Sequence, residues 1–377
     1  MKKIAIIGAS YLQSPLILKA KEMGYETHVF AWQVGDIGEE QADFFYPISI
    51  VEKEQILEKC REIGINGICS ISSDLAMVAV NYVADSLGLA GNTLSCTKKT
   101  TNKYEMRNAL SKSGISCPKY IVIGENDTIA DFDLNYPVIV KPTDRSGSRG
   151  VTKITSSKEL EDAIIKSQEV GFEKRAIVEE FITGKEYSVE SISYNGKHKL
   201  LAITEKFTTG TPNFIETGHI EPALFSDKEK EEIQRVVFSA LDALEVRNGA
   251  SHSEIMVSDG KITIVEIGAR MGGDKIGSSL VPLTTGIDFV KNVILVAMGE
   301  EPEFEPEAHF CAAGIRFIFD ENDIAVYNKV KEENAELIIE SEIEAISDRS
   351  VTDSSTRFGC FVLAGDDREI INSYISK

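Results

Sequence analysis

Two glutamates, Glu254 and Glu266, sit among apolar neighbours on either side of a tight turn. The stretch reads Ser253-Glu254-Ile255-Met256-Val257-Ser258-Asp259-Gly260-Lys261-Ile262-Thr263-Ile264-Val265-Glu266-Ile267. Asp-Gly between two apolar runs predicts a β-hairpin. A two-residue loop would pair Glu254 with Val265 and turn Glu266 to the other face. A three-residue loop at Asp259 to Lys261, with its G1 bulge, would set the two carboxylates opposite one another. Facing carboxylates repel unless a cation lies between them, and hard oxygen ligands with room for phosphate oxygens suit Mg²⁺. A hairpin whose glutamates merely face water would carry the same residues, so the neighbouring motifs decide.

Upstream, Tyr136 to Val140 predicts a buried strand that ends at Lys141, where a free ammonium is costly unless an anion partners it. The loop Ser146-Gly147-Ser148-Arg149-Gly150 follows, small enough for its backbone N–H groups to approach an anion closely. The chain contains no GxxxxGK[ST] sequence, so this is not a standard P-loop. Next comes Ile177-Val178-Glu179-Glu180-Phe181-Ile182, then Thr183-Gly184-Lys185-Glu186. A strand ending in a turn can lend backbone groups to an adenine edge, and a carboxylate just beyond can accept ribose hydroxyls. After the hairpin, Gly268-Ala269-Arg270-Met271-Gly272-Gly273-Asp274-Lys275 offers an arginine suited to steadying a phosphoryl group.

Such residues need elements to hold them. Ile4 to Ile7 predicts a strand, Ser14-Pro15 an N-cap followed by proline, and Gly24 a helix end. Further strands are predicted at Tyr25 to Trp32 and Gly67 to Ser72, with helices at Gln55 to Ile63 and Asp74 to Leu87. That alternation is a parallel α/β unit. The first strand is followed by one glycine where a dinucleotide fingerprint asks for three, so the layer is Rossmann-like without a nicotinamide cofactor. A helix is predicted from Thr100 to Ser113, after which short strands with interposed helices indicate α+β architecture. Ser156 with Glu159, and Ser226 with Glu229, read as capping boxes.

Composition narrows the function. The 377 residues exceed one ordinary domain, and 42% hydrophobic with 27% charged residues is ordinary for a globular protein. With 60 acidic against 40 basic residues, and no basic stripe, nucleic acid is not an expected partner. The six cysteines form no CxxC pair and the five histidines no HxxxH, which predicts neither a disulfide frame nor a zinc site. The apolar run at Ile4 to Ile7 is too short for a signal peptide, and no membrane-length apolar span occurs. A cytoplasmic protein is expected.

The combined order of motifs resembles the ATP-grasp superfamily, over roughly residues 97 to 300. The elements that carry it are Lys103, Lys141 with its glycine-rich flap, the Glu179 to Ile182 strand with Glu186 after it, and Glu254 with Glu266. The resemblance implies a Rossmann-like pre-ATP-grasp domain at 1–96 and an ATP-grasp catalytic region at 97–300. Within the latter, 118–183 would be a small nucleotide-clamping subdomain, and 301–377 would form a C-terminal mixed α/β unit. It further implies ATP with Mg²⁺, or Mn²⁺ in its place. Lys103 would touch the α-phosphate, and Lys141 would bridge α and β. Ser146, Gly147, Ser148 and Gly150 would cover the β- and γ-phosphates. Glu179, Glu180, Phe181 and Ile182 would form the adenine hinge and Glu186 the ribose acceptor, with Glu254 and Glu266 as metal ligands. Many relatives carry asparagine two positions after the second glutamate; here it is Gly268, which leaves Glu254, Glu266, phosphates and water as the implied ligands.

The implied chemistry is attack of a carboxylate on the γ-phosphate, then displacement of phosphate by an amine, with Arg270 and Lys141 as the catalytic charges. The segments Thr204-Glu205-Lys206 and Phe214 to Pro222 resemble the substrate loop of L-amino acid ligases, which implies substrate contacts at Glu216, His219 and Asp274. Partners would be small-molecule acids and amines, and the resemblance leaves a homodimer open. A bicarbonate-activating carboxylase and a non-catalytic nucleotide-binding module are the alternatives.

Overall fold

The computed structural model describes residues 1–127, 135–211 and 214–376. Its first layer is a parallel sheet in the order β3-β2-β1-β4, from β1 (Lys3–Ile7), β2 (Glu26–Phe30), β3 (Phe44–Tyr46) and β4 (Gly67–Cys69). Helices α1 (Ser14–Glu22), α2 (Ile37–Gln41) and α3 (Lys53–Ile63) connect the strands, and α4 (Asp74–Leu87) follows β4. Ile4 to Ile7 is wholly buried, as an apolar strand covered on both faces must be. The start of α1 differs from expectation: Gln13, not Ser14, is the cap residue, and Pro15 falls at the second helical position. Gln13 has other partners, donating to the Ile71 carbonyl and accepting from Ser10.

The single helix expected at 100–113 is two, α5 (Leu94–Thr101) and α6 (Lys103–Lys112). Asn102 breaks them: it is extended, and its side chain accepts from the Tyr104 and Glu105 amides at 3.0 and 3.2 Å. Asparagine is among the strongest N-caps, a signal that the surrounding helical residues masked. The break lets Lys103 open a new helix, with its amide donating to the Thr143 carbonyl at 2.7 Å.

A small antiparallel sheet follows, in the order β5-β8-β6-β7, from β5 (Tyr120–Ile123), β6 (Val138–Pro142), β7 (Thr152–Ile154) and β8 (Ala176–Glu180). Helix α7 (Leu160–Val170) backs it, entered through the Ser156–Glu159 capping box. The third sheet is antiparallel and eight-stranded, in the order β13-β12-β9-β10-β11-β14-β16-β15. Its first strands are β9 (Lys185–Tyr194), β10 (Lys197–Thr208), β11 (Glu216–Glu221), β12 (Gly249–Ser258) and β13 (Lys261–Gly268). Helix α8 (Asp227–Ala243), capped by Ser226, packs on it, and α9 (Val281–Thr285) and α10 (Phe289–Ala297) join it to the first layer. Residues 301–377 supply β14 (Ala312–Phe317), β15 (Ile338–Ile343) and β16 (Gly359–Gly365) to this same sheet, β14 pairing directly with β11. Helices α11 (Glu321–Glu333) and α12 (Arg368–Ile375) cover them. No single helix among the described residues is long and apolar enough to cross a membrane.

The hairpin of β12 and β13 corrects one expectation and keeps its consequence. The loop has two residues, not three: Ser258 pairs with Lys261, and Asp259 and Gly260 both have positive φ (50° and 75°), as a type I′ turn requires. Glu254 nevertheless faces Glu266. The register shifts inside the strand, with Ile255 opposite Ile264, so Val265 is the extra residue of a bulge. The Val265 carbonyl accepts from Arg107 NH2 at 2.6 Å, a partner that anchors the bulge.

Candidate active site

A cleft of about 620 Å³ opens between the small sheet, the 146–150 loop and the cleft-facing side of the large sheet. Lys103, Lys141, Ser146, Gly147, Ser148, Glu179, Glu180, Phe181, Ile182, Glu186, Glu216, Glu254, Glu266 and Arg270 line it. Gly150 does not. It turns back with φ +70°, and a Cβ there would meet Pro142 and Val170 at 3.2–3.3 Å, so its role is close packing. His219 and Asp274 instead line an adjoining cavity of about 230 Å³, which shares Lys206, Glu216, Glu254 and Arg270 with the cleft.

The floor is built by the sheet register, which sets Glu266, Glu254 and Ser188 side by side. The Lys103 ammonium lies 3.0 Å from Glu266 Oε1 and donates to the Arg145 carbonyl at 2.6 Å, tying α6 to the flap. Lys206, which the sequence reading gave no role, is buried between carboxylates. Its Nζ is 2.6 Å from both Glu186 Oε1 and Glu254 Oε1, and 3.9 Å from Glu216 Oε1. Burial opposes its charge, yet those three carboxylates raise its pKa well above the usual lysine value. Burial likewise works against Glu254, but Lys206 and His252 hold its carboxyl well below the usual range.

The Glu179 side chain lies in the core at the base of the cleft, 2.7 Å from Lys141 Nζ and 2.6 Å from Arg107 Nε. Lys141 thus has an anion of the protein's own. Burial pushes the Glu179 carboxyl up, and the Arg107 and Lys141 charges more than reverse this, holding it at about 2. Glu180 points the other way, 3.5 Å from Lys119 at the rim.

Arg270 is half-buried, and Asp74 at the start of α4 holds it in a two-pronged pair at 2.9 and 3.1 Å. In the adjoining cavity, Arg357 clamps Asp274 at 2.5 and 3.1 Å and donates to the Glu216 and Ser354 carbonyls. Ser354 Oγ donates to Glu216 at 2.7 Å, and His219 Nε2 lies 3.4 Å from Asp274. His219 Nδ1 is buried without a partner. Asp274 and Lys275 both have positive φ (53° and 59°) and lead into a π-helix at Ile276–Leu280, a strained arrangement of the kind that collects at functional sites.

Deeper on the same face, His252 Nδ1 is 2.5 Å from the wholly buried Glu190. Burial would lower the imidazole pKa, but the Glu190 charge overrides it and raises His252 to about 9. Glu221 is pushed up by burial to about 8, against hydrogen bonds from Thr284 and Thr204. Both groups hold protons more tightly folded than unfolded. Their stabilisation is complete below the ordinary values of 4.5 for Glu221 and 6.5 for His252, and it is lost as pH rises through 8 and 9. At about 1.4 kcal/mol per pH unit, His252 alone contributes on the order of 3 kcal/mol. The metal-free protein is therefore expected to melt several degrees lower at about pH 9.5 than at about pH 6. Circular dichroism across that range checks it, and a flat profile would contradict the assigned protonation.

Sequence reasoning missed Asp74, Arg107, Lys206, His252, Glu190 and Arg357. Two carried a local signal. Arg107 follows Lys103 by four residues, on one face of α6, and Lys206 keeps the strand alternation of Thr204. Asp74 and Arg357 carried none.

A family model described as an ATP-grasp domain matches residues 134–278, which hold the 146–150 loop, β8 and both opposed glutamates. Alanine–anticapsin ligase of Bacillus subtilis (strain 168) is 29% identical over 248 residues, covering 58% of this chain and 51% of that protein. The chain thus spans about half the length of the curated relatives it matches. Its fold is that of the L-amino acid ligase from Bacillus licheniformis, with a TM-score of 0.82 at 23% identity, covering 100% of this chain and 96% of that one. It is also that of N5-carboxyaminoimidazole synthetase from Staphylococcus aureus complexed with ADP, with a TM-score of 0.78 at 16% identity, covering 99% and 95%. The matched stretch takes in Lys141, the 146–150 loop, Glu179 to Ile182, Glu186, Glu254 and Glu266, while Lys103 precedes it.

Proposed function

We propose that the protein is an ATP-dependent carboxylate–amine ligase, forming an amide or peptide bond through an acyl phosphate, with amino acids as its substrate class. The observation that carries this is the meeting of two opposed carboxylates with Lys103, Lys206 and Arg270 on one floor. The adenine would lie beyond β8. The Phe181 amide already donates to the Pro137 carbonyl, so the next amide, Ile182, is the hinge donor. Lys153 stacks on the Phe181 ring at 3.6 Å and walls that side. Lys103, Lys141 and the Ser146–Ser148 amides would take the phosphates, and Glu186 the ribose.

Glu254 and Glu266 fit a divalent ion: both are hard oxygen donors, directly opposed, and lysines balance their charge. No group of three or more His, Cys, Asp or Glu among the described residues is arranged to hold a metal by itself. Phosphate oxygens and water would complete the ligand set, as suits Mg²⁺. When bound, the ion neutralises phosphate charge and orients the γ-phosphate.

A substrate carboxylate oxygen attacks the γ-phosphorus as the bond to ADP breaks. An amine nitrogen then attacks the acyl carbon, phosphate leaves with the C–O electron pair, and the nitrogen sheds a proton. Lys206 and Arg270 are set to meet charge developing on the phosphoryl oxygens. In the adjoining cavity, Glu216 and Asp274 suit an α-ammonium.

The test is ADP release with Mg²⁺ and ATP across a grid of amino acids and amines, with and without bicarbonate. A product whose mass equals acid plus amine minus water is expected. Stimulation by bicarbonate alone would support carboxylation instead, and nucleotide binding without turnover a binding module. Glu254→Gln and Glu266→Gln should each lower turnover by at least about 100-fold, and normal turnover in both would remove the metal pair from the mechanism.

A further inference from the structure

In open parallel sheets, the crevice at the carboxyl ends of the strands is where ligands bind. Here the carboxyl end of β4 grips another part of the protein. The Ser72 amide donates to the Met271 carbonyl at 3.2 Å, and Ser72 Oγ to the Gly272 carbonyl at 3.2 Å. Two residues on, Asp74 takes Arg270 Nε and NH2. Three consecutive residues of the Arg270–Gly272 turn are therefore held by one short segment of the N-terminal layer.

The segment is built for that grip. Ser72 has φ +60°, a conformation that costs a non-glycine residue about 1 kcal/mol or more. Ser73 then caps α4 by accepting from the Ala76 amide at 3.2 Å, which fixes Asp74 at the first helical position. A carboxylate at a helix N-terminus is favoured by the peptide dipoles. The grip also explains Gly268. A Cβ there would stand 2.9 Å from Asp74 Oδ1 and 3.0 Å from Arg270 Cζ, so the paired side chains occupy the space that a larger residue would need.

We propose that Asp74 is a positioning residue for Arg270, so that the N-terminal layer acts on catalysis by aiming this guanidinium into the cleft. The proposal rests on the ligase reading, in which Arg270 faces the transferring phosphoryl group. A buried ion pair is weak as a stability device, and replacing such pairs by apolar residues is often neutral or better. Geometry is a different matter, because a displacement of about 1 Å at a catalytic group costs on the order of 100-fold in rate.

The experiment is a double-mutant cycle on ADP release, using whichever acid–amine pair turns over fastest, with MgADP affinity and melting midpoint recorded for every variant. Arg270→Ala should lose about 100- to 1,000-fold in kcat. Asp74→Asn should lose about 10- to 100-fold in kcat, with KM for ATP and the MgADP Kd within about twofold. In the Arg270→Ala background, Asp74→Asn should cost nothing further, because it acts only through Arg270. Gly268→Ala keeps both charges yet crowds the pair, and it should lower kcat in the same way if Asp74→Asn folds poorly. Equal effects of Asp74→Asn in both backgrounds, or normal kcat in Asp74→Asn or Gly268→Ala, would overturn the positioning role. Normal kcat in Arg270→Ala, or no turnover by the wild type with any pair, would overturn the ligase reading beneath it.

Discussion

Lys206→Met should cut turnover at least about 100-fold and also lower the melting temperature in EDTA, a loss that added Mg²⁺ partly restores. The wild-type amine stands between Glu186 and Glu254 at 2.6 Å from each, with Glu216 at 3.9 Å. Without it, three half-buried carboxylates share one floor. At an effective dielectric of about 20, two like charges about 4 Å apart repel by roughly 4 kcal/mol. The variant would relieve that repulsion by taking up a proton or a cation, so its divalent-ion dependence should steepen. Thermal melts with and without Mg²⁺, beside ADP release, separate the two effects. Wild-type melting and turnover together would leave Lys206 without the part assigned to it.

Arg107→Met should be the most destabilising single change in the site, costing about 3–5 kcal/mol, because it removes one partner from a buried ionic group. Glu179 would then depend on Lys141 alone, and the Val265 carbonyl would lose its donor. A lysine held more tightly by Glu179 is less available to phosphate, so KM for ATP should rise by about 10-fold. The folded Glu179 carboxyl at about 2 lies below its ordinary 4.5. Its stabilisation is present above 4.5 and lost as pH falls toward 2, roughly 3 kcal/mol in all. The variant should therefore unfold in acid at a higher pH than the wild type. Urea unfolding at neutral pH and an acid titration check both parts. An unchanged urea midpoint would mean that the Arg107–Glu179 pair contributes nothing net.

The parts of this site that the sequence exposed are those made by neighbours in the chain. Glu254 and Glu266 share a hairpin, and Lys141 ends a strand just before its loop. Even there, chain-level rules placed the irregularity in the wrong spot: the turn took the commoner two-residue form, and the extra residue moved to Val265, where Arg107 waits. What stayed hidden is made across the chain. Arg107 meets Glu179 at 72 positions' remove, and Asp74 meets Arg270 at 196. Neither residue type at either end is unusual, so nothing local marks the pair. Asn102 is a different failure, since its capping signal was present and the helical residues around it outweighed it.

The large sheet closes late. Strand β11, which bears Glu216 and His219, gains its second neighbour only when Ala312–Phe317 pairs with it. Arg357, which locks Asp274 and Glu216, comes later still. At a synthesis rate of about 5–20 residues per second, several seconds separate the emergence of Arg270 from that of β14. For that interval a nascent chain already holds most of its cleft-lining residues but carries an open strand edge beside them. That edge is where a chaperone, or another copy still being made on the same message, would first find it.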